Sequence, residues 1–555
     1  MSERRIRPKS TQRKSKKKQP RSLLLTLGGA ALLVIGGSVA FLLLQGDQKS
    51  GPLPLGAKVV PQDVMLSVTL STEANQWQQL AKFGTTTSQK SWGQRIQTFE
   101  NRVLEPYGLS YADNIRPWSA NQVTMALLPP TVESVEFQSQ QATVWVVPIR
   151  DQGQFEQKFK QKLLTSASQV DKRTYKQIDI HEFDAEDGKR YGFATLEDRW
   201  LVFTEADTPI NAVVDTHKGK PALADVPRYQ DALKEIESEN AIARVYVNVP
   251  IAAAQMSRVP LSPASKERIQ DVQAIGATVR LVEDGLRFKA ISWLHPEAKE
   301  TLKAKNEAKD IAKNLPQDTL MMASGGNFQQ VWRDYAQGNI AKLVFPLNPK
   351  AWNDDLNQRT GVDFNNQFVN WMDGEFLSAL VPSQDPEGQG VGVVLMAKAK
   401  DRATANQAFQ ALDDAMRDRF DFLVAESKID NKTVITWKVP PGLPIASHGW
   451  LDNDVAFLTF GAPIANRLLQ PPKENLTQAA GFKAATDSDL DPNNGHFFVD
   501  MPRMLGLLET NPLLPKLTSE TTKVMQGIET IGVTTAIQNE WSTRYDIHVK
   551  LKKRS

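Results

Sequence analysis

The most metal-like spacing in the chain is Asp487-Ser488-Asp489-Leu490-Asp491-Pro492-Asn493-Asn494-Gly495. Oxygen-bearing side chains at alternate positions suit Ca²⁺, a hard cation that collects several oxygen ligands. Counted from Asp489, the ligands are Asp489, Asp491 and Asn493, with Asp500 at the twelfth place. Two features depart from a calcium loop: Asn494 stands where glycine makes the sharp turn, and Asp500 stands where a bidentate glutamate usually closes the shell. The competing reading is a polar turn in which Asn494-Gly495 supplies positive φ. A second cluster is His181-Glu182-Phe183-Asp184. On a strand, His181 and Phe183 share one face while Glu182 and Asp184 share the other, so a histidine ligand and its neighbouring carboxylates point apart. That pattern reads as the end of a strand.

Other chemistry lacks its residues. The six histidines are scattered, and none sits in an HExxH pair. No GxxxxGK[ST] loop cradles phosphate, and no GxSxG elbow supplies a serine nucleophile. With no cysteine in 555 residues, disulfides, thiol nucleophiles and thiolate metal sites are excluded. The expectation is a non-enzymatic protein without a cofactor. Trp118 and Trp371 hold matching places in two similar stretches and read either as a ligand groove or as core anchors.

The elements that position these residues begin with a charge asymmetry. The chain has 66 Lys+Arg against 63 Asp+Glu, a nominal +3. Residues 1–22 carry ten basic side chains and one acid, so this tail of +9 leaves −6 for the rest. Residues 23–44, LLLTLGGAALLVIGGSVAFLLL, contain no charge. As a helix they reach roughly 33 Å, enough for a hydrocarbon core of about 30 Å. The sequence therefore predicts a single transmembrane helix with a cytoplasmic N-terminus, because Lys and Arg beside a first span resist translocation. The bilayer is the partner of residues 23–44, and anionic headgroups are the partner of the basic tail. Residues 1–22 contain no aromatic side chain to stack on bases, so nucleic acid is not an expected partner. Residues 45–58 read as a spacer, and the bulk lies on the periplasmic or lumenal side of a plasma or thylakoid membrane.

That bulk carries an internal repeat near 255 residues. Val60-Pro61-Gln62-Asp63 returns as Leu315-Pro316-Gln317-Asp318. The segment from Tyr107, YGLSYADNIRPW, matches TGVDFNNQFVNW from Thr360, aligning Gly108 with Gly361 and Trp118 with Trp371. A strand running through Asp151 into a helix recurs at Asp401, each Asp placed to cap. A hairpin turning at Glu197-Asp198 recurs at Asp452-Asn453, Pro250 matches Pro502, and Gly276 matches Gly532. Alternation in ARVYVNV and TVRLVEDGLRFKAISW predicts antiparallel sheet with one wet face. Residues 296–313, rich in Lys, Glu and Ala, predict a solvated connecting helix.

The basic tail, apolar run, VPQD start, NQWQQLAKFG helix and YGLSYADNIRPW segment resemble an uncharacterised cyanobacterial family, domain of unknown function 3352. The resemblance covers most of the exported region, implies a membrane-anchored protein and brings no activity or site. The fold expectation is α+β: an N-terminal transmembrane helix, then a tandem duplication of a mixed, mainly antiparallel sheet-plus-helix domain. Its units are the 1–22 tail, 23–44 span, 45–58 spacer, 59–295 first repeat, 296–313 connector and 314–553 second repeat. The functional expectation is binding or scaffolding of an envelope protein, lipid or wall component. The alternatives are a carrier holding an apolar ligand between the repeats and an envelope hydrolase.

Overall fold

The computed structural model describes residues 53–553 apart from 81, 84–104, 106–107, 130–141, 167–169, 185–189, 206–207, 238–239, 257–268, 300, 303–305, 337–348, 384–389, 453, 471–473 and 512–516. The first half supplies ten strands: β1 (Leu66–Ser71), β2 (Gln122–Leu128), β3 (Ala142–Pro148), β4 (Val170–Tyr175), β5 (Ile178–Asp184), β6 (Arg190–Leu196), β7 (Trp200–Glu205), β8 (Ala241–Asn248), β9 (Val272–Val282) and β10 (Gly285–Leu294). The second half supplies β11 (Met321–Gly325), β12 (Phe376–Pro382), β13 (Val391–Lys398), β14 (Leu423–Ile429), β15 (Lys432–Val439), β16 (Leu443–Trp450), β17 (Val455–Gly461), β18 (His496–Asp500), β19 (Ile528–Asn539) and β20 (Ser542–Leu551).

All twenty belong to one sheet, in the order 4-5-6-7-3-2-1-8-9-10-20-19-18-11-12-13-17-16-15-14, with every pair antiparallel. The order reads alike from either end, so each half repeats the same pairing scheme. Tight turns close corresponding hairpins: Lys176-Gln177 and Asp430-Asn431 both have positive φ at two adjacent residues. That geometry matches the right-handed strand twist.

Three expectations are corrected here. The two repeats are not separate domains, because β10 and β20 pair over nine residue positions, from Gly285↔Lys550 to Trp293↔Ser542. Each half would otherwise leave a long strand edge open to foreign pairing, and joining the two edges removes both. The predicted transmembrane helix is not part of the observed fold: among the described residues no helix is long and apolar enough to cross a membrane, and residues 23–44 lie outside them. The described residues of the 296–313 connector are irregular, with only a 3₁₀ turn at Ile311–Asn314 at their end. Their backbone is held by outside partners instead of a helical ladder. The amide of Leu302 donates to the Glu540 carbonyl, and those of Lys309 and Ile311 donate to the Glu375 carboxylate.

Helices cover both faces of the sheet, which explains why the expected wet face is absent at its centre. On one face lie α1 (Thr208–His217), α2 (Tyr229–Glu235), α4 (Ala465–Leu469) and α5 (Ala480–Thr486). On the other, α3 (Val249–Met256) packs on β9 and α6 (Met501–Thr510) on β19. The core between α1, α2 and the sheet is built from Ile210, Val213, Ala232, Leu233, Tyr246 and Trp293. The described end of the 45–58 spacer joins this core: Ala57 is buried, and Gly56 lies against Thr124 so closely that no side chain would fit.

Candidate functional site

The antiparallel register sets a line of polar side chains straight across the middle of the sheet. In order they are Thr124 on β2, Thr69 on β1, Arg244 on β8, Thr278 on β9, Lys289 on β10, Asp546 on β20, Thr534 on β19 and His496 on β18. Directly opposed residues share a face, so all eight point toward the side of α2 and α5. Buried polar groups of this kind require partners. Thr69 and Thr124 share a 2.8 Å hydroxyl contact, and His496 Nδ1 lies 3.1 Å from Thr534 Oγ1. Thr278 donates to the Ile236 carbonyl at 2.6 Å, and Thr534 donates to the Thr486 carbonyl at 3.4 Å. These carbonyls end α2 and α5, so each threonine satisfies a free helix terminus.

A pseudo-two-fold axis normal to the sheet relates the halves and passes between Lys289 and Asp546. It maps Thr278 onto Thr534, Arg244 onto His496 and Arg287 onto Arg544. A charged seam surrounds the axis. Arg287 donates to Asp546 at 3.3 Å and faces Asp487 at 3.6 Å. Lys289 donates to Asp489 at 2.8 Å, and Arg544 stands 3.6 Å from the same carboxylate. His548, beside the seam, contacts Asp284 at 3.0 Å and the Ala484 carbonyl at 2.7 Å.

The electrostatics follow from depth. Burial pushes the Asp546 carboxyl above its ordinary range, against the pull of Arg287. Partial burial acts the same way on Asp489, but the Lys289 hydrogen bond and the Lys289 and Arg544 charges outweigh it and hold Asp489 below its ordinary range. Burial lowers His496, with Glu375 acting in the opposite direction. The seam therefore combines strong hydrogen-bond donors with one carboxyl that favours its proton.

The geometry gives the residues of the calcium reading separate partners. Asp489 is tied to Lys289 and Arg544. Asn493 accepts from the Gly495 amide, and Asp500 caps α6 by accepting from the Arg503 amide at 3.1 Å. Asp491 is exposed ahead of Pro492. Among the described residues no group of three or more His, Asp or Glu side chains is placed to hold a metal ion. Gly495, at φ +120°, supplies the turn.

Trp118 and Trp371 are core anchors, with 0% and 3% of their surface exposed. Trp118 packs edge-on to Phe155, and Trp371 packs against Phe368 and Phe409. His181 stacks on Phe193, while Glu182 is clasped by Arg173 and Arg190 on the other face. Asp151 and Asp401 each cap a helix, accepting from the amides of Gln154 and Thr404. In the second half Asp413 accepts from Trp437 at 2.6 Å and contacts His448 Nε2 at 2.9 Å, while His448 stacks on Phe409. His448 occupies the register position of Phe193.

Sequence reasoning passed over Arg287, Lys289, Arg544 and Asp546. Their signal was present as charged residues two apart in LRFKA and TRYDIHV. Period two assigned them to a solvent face, whereas the union of β10 with β20 turns that face into the middle of the sheet.

The union also bears on the carrier reading. The halves that would hold the ligand meet edge to edge within one sheet, through β10 and β20.

A family model described as a protein of unknown function, DUF3352, matches residues 26–551, and the chain belongs to that family. No curated protein matches it. Among solved structures, crystal form IV of TP0453 is 7% identical, covering 43% of this chain and 81% of that one at a TM-score of 0.24. Crystal form I of TP0453 is 9% identical, covering 45% and 80%, also at 0.24. Likenesses this slight do not define a shared fold.

Proposed function

We propose that this member of the DUF3352 family is a non-enzymatic binding or scaffolding protein of the cell envelope, with residues 59–553 on the periplasmic or lumenal side of a membrane. The observation that carries the reading is an apolar strip on the second half. Val393 and Leu395 on β13 and Phe460 on β17 are 38%, 39% and 39% exposed. Phe460 stands directly across from Val393, and Leu380 of β12 continues the row. The corresponding register positions of the first half hold Thr143, Trp145 and Glu205. Two copies of one scaffold thus differ in a place where apolar side chains meet water. Contiguous exposed apolar surface of this kind marks contact with an apolar partner.

The continuous sheet supports the same reading, because it fixes the strip on a rigid platform. The partner class is a protein segment or lipid that presents apolar groups. A photo-crosslinking side chain at Leu395 in the native membrane tests it, with the same side chain at Thr143 as control. A discrete adduct is expected from position 395, lost when Phe460→Asp is added and missing from position 143. Identical products from both positions would overturn the proposal. Protease accessibility of the bulk in intact and opened cells tests the address.

A further inference from the structure

The seam on the pseudo-two-fold axis holds more hydrogen-bond donors than its protein acceptors use. Arg287 and Arg544 are symmetry counterparts on the two central strands, one register step on either side of Lys289 and Asp546. Their side chains are only 13% and 14% exposed. A guanidinium presents a planar fork of N–H donors that matches oxyanions. Arg287 makes one hydrogen bond, at 3.3 Å, to Asp546. Arg544 faces Asp489 at 3.6 Å, beyond hydrogen-bonding range. Its Nε is buried and has no acceptor. The Oδ1 atom of Asp546, beneath them, is likewise buried without a partner.

The outer wall of the seam is the Asp487-Ser488-Asp489 segment that follows α5. Its carboxylates are 79% and 51% exposed and stand over Arg287, Lys289 and Arg544. These oxygens occupy the side from which a soluble anion would approach. They hold Lys289 firmly, at 2.8 Å, and the two guanidiniums only at 3.6 Å. An external oxyanion can use the donors that the aspartates leave open, because its several oxygens diverge from one atom. Asp546 complements such a guest when protonated, since its buried carboxyl then donates instead of repelling.

We propose that the seam binds a phosphate-type oxyanion between Arg287, Lys289 and Arg544, displacing the Asp489 carboxylate from Lys289. The inference rests on the binding role proposed above and names a second ligand class for the same scaffold. The shared chemistry is a phosphate carrying at least one free charge, either as the free ion or as a lipid headgroup.

The test uses the full-length protein in detergent. Calorimetric titration with inorganic phosphate, against sodium chloride at equal ionic strength, is expected to show saturable binding. Arg544→Gln and, independently, Arg287→Gln should weaken it at least tenfold, while Asp489→Asn should tighten it severalfold by removing the internal competitor. Circular dichroism and thermal melting verify that each variant folds, and Lys289→Gln serves if either arginine variant does not. Cosedimentation with phosphatidic acid vesicles, compared with phosphatidylcholine alone, separates the sources. Retention that Arg544→Gln abolishes assigns a headgroup, and phosphate binding without retention assigns the free ion. If neither wild type nor Asp489→Asn responds to phosphate or to phosphatidic acid, the proposal is overturned. The Leu395 crosslinking result stands independently of that outcome.

Discussion

Lys289 and Asp546 face each other across the junction of the two halves, and each is the symmetry counterpart of the other. A duplicated unit joined through its own edge strand confronts every residue on the axis with its copy. Two lysines there would repel in a buried setting, and two aspartates would do the same. Divergence to one base and one acid removes the repulsion while the flanking Arg287 and Arg544 stay alike. The pair therefore favours the union of the two unlike halves over the union of either with itself.

Asp546 makes the stability of the seam depend on pH. Burial raises its carboxyl above the ordinary value of 3.8. The folded chain then binds this proton more tightly than the unfolded chain, so the contribution is fully present below the unfolded value and is lost as pH rises through the folded one. Asp546→Asn keeps a neutral group at all pH values. As pH rises above the ordinary carboxyl value, wild type should lose stability relative to the variant. Parallel melting curves across that rise would refute the assignment.

Thr278 and Thr534 offer a test of the pseudo-symmetry. Each hydroxyl donates to a carbonyl at the C-terminal end of a helix, Ile236 in one half and Thr486 in the other. Replacing either by valine keeps the shape and strands a buried carbonyl, a loss of about 1–3 kcal/mol. The two sites are three strand spacings apart, roughly 14 Å. The double variant should therefore cost the sum of the singles within about 0.5 kcal/mol. Denaturant unfolding measures all three, and a large coupling would mean that the seam transmits strain between the halves.

These relations show what a linear reading can and cannot reach. The paired landmarks were local: Asp151 and Asp401 lead directly into helices that they cap, and Trp118 and Trp371 sit in similar strings. The union of β10 with β20 was not legible, because it joins residues about 260 positions apart and no local pattern encodes which edges meet. That pairing changed the meaning of Arg287 and Lys289 from surface charges to central ones. Likewise Asp489, Asp491, Asn493 and Asp500 had the alternation of a calcium loop. The spacing could not reveal that Lys289, 200 residues earlier, takes Asp489.

Trp118 and Trp371 should respond differently to phenylalanine. Both are buried, and truncating either to alanine should cost about 3–5 kcal/mol. Trp118 Nε1 donates to the Asn114 carbonyl, whereas Trp371 Nε1 has no acceptor. Trp118→Phe removes volume and strands that carbonyl. Trp371→Phe removes volume and also relieves a buried donor left without a partner, so it should be the milder change by about 1 kcal/mol. Chemical denaturation of the two variants decides the order, and the reverse order would mean that the Trp371 ring has an acceptor in solution.

Gly276 and Gly532 occupy the same position in the two halves, on β9 and β19 beneath α2 and α5. Their surroundings differ in one respect that matters. A methyl group added at Gly532 would lie 2.0 Å from the Ala485 carbonyl oxygen, which belongs to backbone and cannot rotate away. At Gly276 the nearest atom is the edge of the Trp293 ring at 3.4 Å, followed by Ile236 and Leu233 side chains, all within ordinary contact. Neither glycine has a positive φ, so the comparison isolates space from backbone conformation. Gly532→Ala must lift α5 off the sheet, loosening the hold of Thr534 on the Thr486 carbonyl and moving the Asp487–Asp489 segment that α5 leads into. A cost of about 3 kcal/mol is expected, the upper end of overpacking. Gly276→Ala should stay within about 1 kcal/mol of wild type, because a methyl fills van der Waals space and lowers the entropy of the unfolded chain. Thermal melting ranks the pair. If phosphate binds at the seam, Gly532→Ala should also change its affinity, since the segment whose aspartates compete for Arg287, Lys289 and Arg544 moves with α5, while Gly276→Ala should leave it intact.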